Sequence, residues 1–253
     1  MLTALQLYSN YSCSESVLVE QNEIGWPCKR VLPQVISVPI VHADACISVE
    51  VEREIRVQAF RAFLSESNLD IAIVQDMQDI YWLSGFNTPG APRGQALVVS
   101  QDKLFILSRR LEVTNAFIHV PLQDSLSYNE GDDPILHISR SVLQLNPSCV
   151  GWQLDNDRTT PGDARKLFSS LSVAGVCIVD ISGVIRAMRC PKSSNELALM
   201  RRAGEICSTS MHAAIASSAL PGVTENHIAG AAVAVQCRLS PPLLALTSCL
   251  LRL

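Results

Sequence analysis

The four residues Ile71-Ala-Ile-Val74 constrain the fold of this chain more than any other segment. An uninterrupted apolar run of that length suits a strand covered on both faces, since a half-solvated strand alternates polar and apolar residues. Just upstream, Ile55, Ala59, Ala62 and Phe63 recur at helical spacing, with Arg53, Glu54, Arg56 and Glu66 around the rest of the cylinder. An amphipathic helix is therefore expected from about Val51 to near Asn68.

The pattern repeats downstream. Met77 to Leu83 reads as one or two helical turns stopped by Ser84-Gly85, and 87–94 is a loop dense in Pro and Gly. Gln95–Ser100 and Lys103–Ser108 are apolar runs separated by Gln101-Asp102, a hairpin signal without the usual turn Gly. Arg109–Phe117 is expected to be helix and Ile118–Leu122 a strand. A helix over Asp132–Leu145 has two Asp at its start and Pro134 in its first turn, both favoured there. Cys149–Leu154 and Val176–Asp180 read as strands flanking a helix over Pro161–Leu171 with Thr160 as N-cap. Strands alternating with helices of about 10–15 residues predict an α/β layer arrangement, and the hairpin makes the sheet mixed. The first domain should end near Ser182-Gly183.

Beyond it, Ser193 with Glu196 has capping-box spacing and opens a long helix over Ser194–Ala219. Its apolar stripe is Leu197, Met200, Ala203, Ile206, Cys207, Met211, Ala214 and Ile215. Pro221-Gly222 ends it, Thr224 is a natural N-cap, and Glu225–Gln236 reads as a second helix. No sheet follows for these two helices to cover. Cys237–Leu253 continues no pattern and reads as an unrelated apolar tail, too short to span a membrane as a helix. Residues 1–52 read as a leader or irregular arm broken by Pro27, Pro33 and Pro39, with a short strand conceivable in Val31–Val41.

Apolar residues make up 48% of the 253, enough to bury a core. The two basic and six acidic residues of 1–52 hold the whole net charge of −4, leaving a neutral body. Nothing basic enough for nucleic acid or an anionic membrane remains, so neither is expected as a partner. The nine cysteines form no C-x-x-C pair and suit free thiols in a reducing compartment. Cys207 and His212 lack further partners for zinc. A signal peptide or acid-poor transit peptide is not expected, which points to a soluble, cytoplasmic protein. The chain has no G-x-S-x-G elbow, P-loop or G-x-G-x-x-G.

Asp76-Met-Gln-Asp-Ile-Tyr-Trp-Leu-Ser-Gly-Phe86, placed after the buried strand, is similar to the segment that opens the N-terminal domains of the creatinase and Xaa-Pro aminopeptidase family. Arg109–Ala116 resembles the helix after their hairpin. Arg186–Met200 resembles the linker and first helix of the catalytic, pita-bread domain, and Leu220–Ile228 the turn between its first two helices. The match spans roughly 53–236. It implies a mixed-sheet creatinase N-terminal-like α/β domain over 53–182, then over 183–236 a truncated helical start of a pita-bread α+β domain.

That resemblance implies a hydrolase of C–N bonds, whether a peptide bond to proline or a small amidino or amide group. In most members two divalent metal ions (Mn, Co or Zn) are held by two Asp, one His and two Glu of the later domain; the creatinase branch works without metal through a His there. Asp180, His212, Glu225 and His227 precede those positions, so no catalytic or metal-binding residue and no cofactor is assigned within this chain. Arg93, in the Pro/Gly loop, resembles the Arg that creatinase-like members extend across a dimer interface to a substrate carboxylate, a task suited to a bidentate fork. It also reads as an ordinary exposed loop Arg. Phe86 and Trp82 could line the same region or belong to the core. Three expectations stand: a truncated homologue inactive by itself, a non-catalytic dimerisation or interaction module, or part of an active enzyme. The partner implied is a second copy, through the N-terminal domain.

Overall fold

The structure, a computed structural model, describes residues 29–30, 48–88, 94–113 and 125–239. Among the described residues, seven strands form one mixed sheet in the order β1-β7-β6-β2-β3-β4-β5. They are β1 (Lys29–Arg30), β2 (Ile71–Val74), β3 (Ala96–Ser100), β4 (Leu104–Arg109), β5 (Leu126–Tyr128), β6 (Cys149–Trp152) and β7 (Cys177–Asp180). β1, β7, β6 and β2 run parallel. β3 is antiparallel to both β2 and β4, and β5 returns parallel to β4. The mixed α/β architecture is the one the sequence predicts.

Period-two pleating sorts the strand residues between two cores. Ala72, Val74, Leu97, Val99, Ile106 and Val179 face α1 (Val49–Glu66), α2 (Met77–Ser84) and α5 (Val184–Arg189). Ile71, Ile73, Val98, Phe105, Val150, Trp152 and Ile178 face α3 (Pro134–Leu143) and α4 (Pro161–Val173). The sheet is thus sandwiched between helices, which is why Ile71–Val74 has no polar side. Each fully buried side chain of Leu or Ile size contributes roughly 1.5–3 kcal/mol by leaving water. Gly151 faces the first core, where an added Cβ would meet Ile181 at 3.0 Å and Leu69 at 3.1 Å.

Thr160 and Ser193 cap the helices that the sequence assigns to them, and Ser48, Asp76 and Asp133 act in the same way. Ser48, Asp76, Asp133, Thr160 and Ser193 accept from backbone amides in the following turn, and Ser193 with Glu196 completes the capping box. α2 ends at Gly85, whose φ of 76° is the left-handed cap a glycine takes without strain. The β3–β4 turn manages without Gly because Ser100 Oγ accepts from Lys103 N at 3.0 Å and donates to Asp102 Oδ1 at 2.8 Å.

Some elements depart from the expectation. Residues 110–113 are helical, while the rest of the helix expected to Phe117 and the strand Ile118–Leu122 lie outside the described residues. β5 falls at Leu126–Tyr128, a segment with no strand pattern of its own, paired to β4 only through tertiary register. Part of the leader is not irregular: Lys29–Arg30 joins the sheet edge beside Val179 and Asp180. The expected strand at 31–41 lies outside the described residues. α5, unmarked by any period, follows immediately on the expected domain boundary.

Beyond α5, α6 (Ser194–Ser218) and α7 (Glu225–Leu239) pack on one another, with Ser210 Oγ donating to the Ala232 carbonyl at 3.0 Å. α7 extends three residues past the expected end at Gln236, into the segment read as an unrelated tail; 240–253 lie outside the described residues. Of the α6 stripe only Ile206 is buried, while Leu197, Met200, Met211 and Ile215 are exposed, and α7 buries none of its residues. No described helix is long and apolar enough to cross a membrane.

Candidate functional site

β2, β6 and β7 end their parallel run at Val74, Trp152 and Asp180. From β2 the chain leaves toward β3 on one side, and after α3 it returns to β6 on the other. Such a divergence of connections opens a crevice at the carboxyl edge of a sheet. A cavity of about 410 Å³ lies there, lined by Asp76, Asp79, Gln153, Asp155, Arg186 and Arg189 among others. A larger one, about 650 Å³, lies at the opposite end beside the β3–β4 turn. Its carboxylates are spent on structure: Asp70 accepts from the amides of Ser148 and Cys149, and Asp102 from Ser100. The carboxyl-edge crevice is the better candidate.

Gln153, directly after β6, organises that crevice. Its carbonyl accepts from Gln75 N at 3.0 Å and Asp76 N at 3.1 Å, while its amide donates to Asp79 Oδ2 at 2.6 Å. Arg189, at the end of α5, donates to Asp79 Oδ1 at 2.6 Å and Gln78 Oε1 at 2.9 Å. Burial pushes the Asp79 carboxyl above its ordinary value, and the Asp76 charge adds to this, against the opposing hydrogen bonds from Arg189 and Gln153. Both Asp79 oxygens are engaged, so its chemistry is that of a clamp holding α5 onto α2. Asp180 accepts from Ser182 N, and Ser182 Oγ in turn accepts from Asp155 N at 2.8 Å. These bonds define where the chain leaves the sheet for α5.

A second cluster joins α1 and α2 to the start of α6. The Arg56 guanidinium sits 5.1 Å over the Trp82 ring, pairs with Glu52 at 2.6 Å and with Glu196 at 3.0 Å. Trp82 Nε1 donates to Glu196 Oε1 at 3.2 Å, and Asn195 donates to Glu52 Oε2 at 3.1 Å. Burial by itself raises the Glu52 carboxyl, yet hydrogen bonds from Ser193 and Asn195 and the Arg56 charge hold it below its ordinary value. The capping box of α6 is thereby welded to the α/β domain. Sequence spacing shows the box but not its partners, which lie more than a hundred residues upstream.

Arg93 lies outside the described residues, as do 89–92. The described residues on either side are Thr88 and Gly94. Thr88, buried, donates to Glu112, which also pairs with Arg109 at 3.4 Å. Gly94 has φ 78°, and a Cβ there would fall 2.3 Å from Pro134 Cβ. Phe86 is fully buried and Trp82 nearly so, both within the first core. Asp180 and the three residues of the second unit (His212, Glu225 and His227) are not brought together, and among the described residues no group of three His, Cys, Asp or Glu is placed to hold a metal ion. Asp79, Gln153, Arg189 and Glu52 were not singled out from the sequence, since nothing local distinguishes them.

Residues 56–190 match the family model of the creatinase/prolidase N-terminal domain. No curated protein matches this chain. Among solved structures, it is similar to an Xaa-Pro dipeptidase from Bacillus anthracis at 14% identity and a TM-score of 0.57, over 75% of this chain and 50% of that one. An X-Pro aminopeptidase from Thermotoga maritima matches at 15% identity and a TM-score of 0.55, over 69% of this chain and 48% of that one. The prolidase from Pyrococcus horikoshii matches at 19% and 0.53, over 71% and 47%. The chain spans about half the length of these proteins, and likeness at such identities shows the fold. With its family model covering more than half of the sequence, the chain belongs to the creatinase/prolidase N-terminal domain family.

Proposed function

We propose that this chain is the assembly and substrate-positioning part of a C–N bond hydrolase of the Xaa-Pro peptidase type, and that its 253 residues have no hydrolytic activity by themselves. The observation carrying this reading is α6, where the large apolar residues Leu199, Met200, Met211 and Ile215 are all more than half exposed, beside α7, which buries none of its residues. A helix that presents such a face is built to cover something, and an apolar surface of this kind marks a contact site. In a longer relative that contact is a catalytic domain with carboxylate and His ligands for a pair of divalent ions, whose hard charge favours oxygen donors. In that reading Arg93 reaches a substrate carboxylate across a dimer. The free thiols fit a cytoplasmic setting.

The test is hydrolysis of Xaa-Pro dipeptides by the purified chain with and without added Mn²⁺. No turnover is expected; robust turnover abolished by a chelator overturns the reading. The same exposed faces favour a second reading, a dimerisation or protein-interaction module, which predicts saturable self-association or specific binding of a cellular protein. Transcript sequencing across residue 237 separates both from a longer active product, which would carry the Asp, His and Glu ligand motifs in frame.

A further inference from the structure

Cys149 and Cys177 open the neighbouring strands β6 and β7 and are direct register partners in that parallel pair. Both side chains leave the sheet on the same side. Cys149 packs against the first core, and pleating puts Cys177, two residues before Val179 of that same core, on the matching face. Cys177 stands close enough to Cys149 to push its thiol up. Cys177 is exposed to solvent and Cys149 half-buried behind it. Registered neighbours in a sheet have Cα atoms about 4.8 Å apart, inside the range that a disulfide spans. None of the other described cysteines, Cys190, Cys207 and Cys237, shares a strand pair.

We infer that Cys149 and Cys177 form a redox-active dithiol, a modification site that hydroperoxides convert to a reversible cross-strand disulfide. The exposed Cys177 thiol gives up its proton, its sulfur attacks one peroxide oxygen, and the O–O bond breaks; the other oxygen takes that proton and leaves as water from hydrogen peroxide, or as an alcohol from an organic hydroperoxide, while Cys177 becomes a sulfenic acid. Cys149 then loses its proton, its sulfur attacks Cys177 Sγ, and the S–O bond breaks to release water. The two thiols together lose two electrons and one peroxide gains them. The roles follow from the surroundings. Burial, then the Cys177 contact, then the Asp70 carboxylate push the Cys149 thiol up to about 12, so it is the resolving partner and Cys177 the attacking one. Asp70 is fixed in place by the Ser148 and Cys149 amides at 2.7 and 2.9 Å. The bond would tie the amino ends of two strands whose carboxyl ends line the crevice.

The protein's own cleavage sites make the test clear. Trypsin releases Cys149 in the peptide 141–158 and Cys177 in 167–186, each with no other cysteine. The purified chain is exposed to hydrogen peroxide, its remaining thiols are alkylated, and the digest is mapped by mass spectrometry without reduction. The expected result is a linked pair of these two peptides, lost on treatment with dithiothreitol. Cys149→Ser should leave Cys177 as a sulfenic acid trapped by dimedone, whereas Cys177→Ser should leave Cys149 unoxidised at the same dose. A linked pair absent from the native chain, or spread evenly over all cysteines, overturns the inference. So does dimedone labelling of Cys149 in Cys177→Ser at the wild-type rate.

Discussion

Replacing Arg189 by Ala removes the cation from a carboxylate that has nowhere else to go. Asp79 is 3% exposed, with one oxygen on Arg189 and the other on Gln153. Breaking a buried pair from one side costs about 3–5 kcal/mol; because Gln153 still donates, about 3 kcal/mol is expected at pH 7. With a urea slope of roughly 2–3 kcal/mol/M, the midpoint should fall by about 1 M. The pH dependence identifies the cause. Asp79 has a folded pKa above its ordinary 3.8, so the native state holds the extra proton and its stabilising protonation is lost as pH rises through the folded value. Losing Arg189 raises that folded value further. The deficit of Arg189→Ala must therefore shrink as pH is lowered from 7, since the orphaned carboxyl takes a proton. Asp79→Asn should cost only about 1 kcal/mol, because the Arg189 side chain, 23% exposed, turns to water. Urea unfolding followed by tryptophan fluorescence at several pH values is the assay. A deficit independent of pH, or one no larger than that of Asp79→Asn, would refute the argument.

Gly94→Ala should cost about 2–3 kcal/mol, since the new Cβ is both strained at φ 78° and driven into Pro134, whereas Gly131→Ala, at φ 98° but in open space, should cost about 1 kcal/mol. Thermal unfolding midpoints of the two variants measure the difference; equal losses would mean that the Pro134 contact carries no weight. Met200→Glu with Ile215→Lys on α6 should leave unfolding stability within about 0.5 kcal/mol and lower self-association, because both residues are more than half exposed. Sedimentation velocity at increasing concentration decides it, and a large loss of stability would show these faces to be packed.

Much of this fold was legible because its signals are local. Ile71–Val74, the Asp133-Pro134 start, Thr160 and the Ser193–Glu196 box each state their structure within a few residues, through burial pattern or capping chemistry. The order of other segments, Asp76–Phe86, Arg109–Ala116, Arg186–Met200 and Leu220–Ile228, carried the family resemblance, and the family match over 56–190 bears that resemblance out. β5 and the Lys29–Arg30 strand were not legible, since two or three residues become strand only when a sheet edge supplies their hydrogen bonds.

The apolar run Ile71–Val74 by itself determined that this chain builds a covered sheet, because four successive apolar side chains need a dry surface on each face. Only the tertiary structure decided which polar residues meet at the sheet's carboxyl edge. Asp79 finds Gln153 across 74 residues and Arg189 across 110, distances over which no periodicity reaches. It also decided that Cys149 and Cys177 stand side by side, since register belongs to a strand pair and not to either strand. The apolar stripe of α6 belongs to both levels. Its spacing was plain in the sequence, and the fold left Leu197, Met200, Met211 and Ile215 in solvent, because α6 buries only the line of Ile206 and Ser210, the side that meets α7 at Ala232.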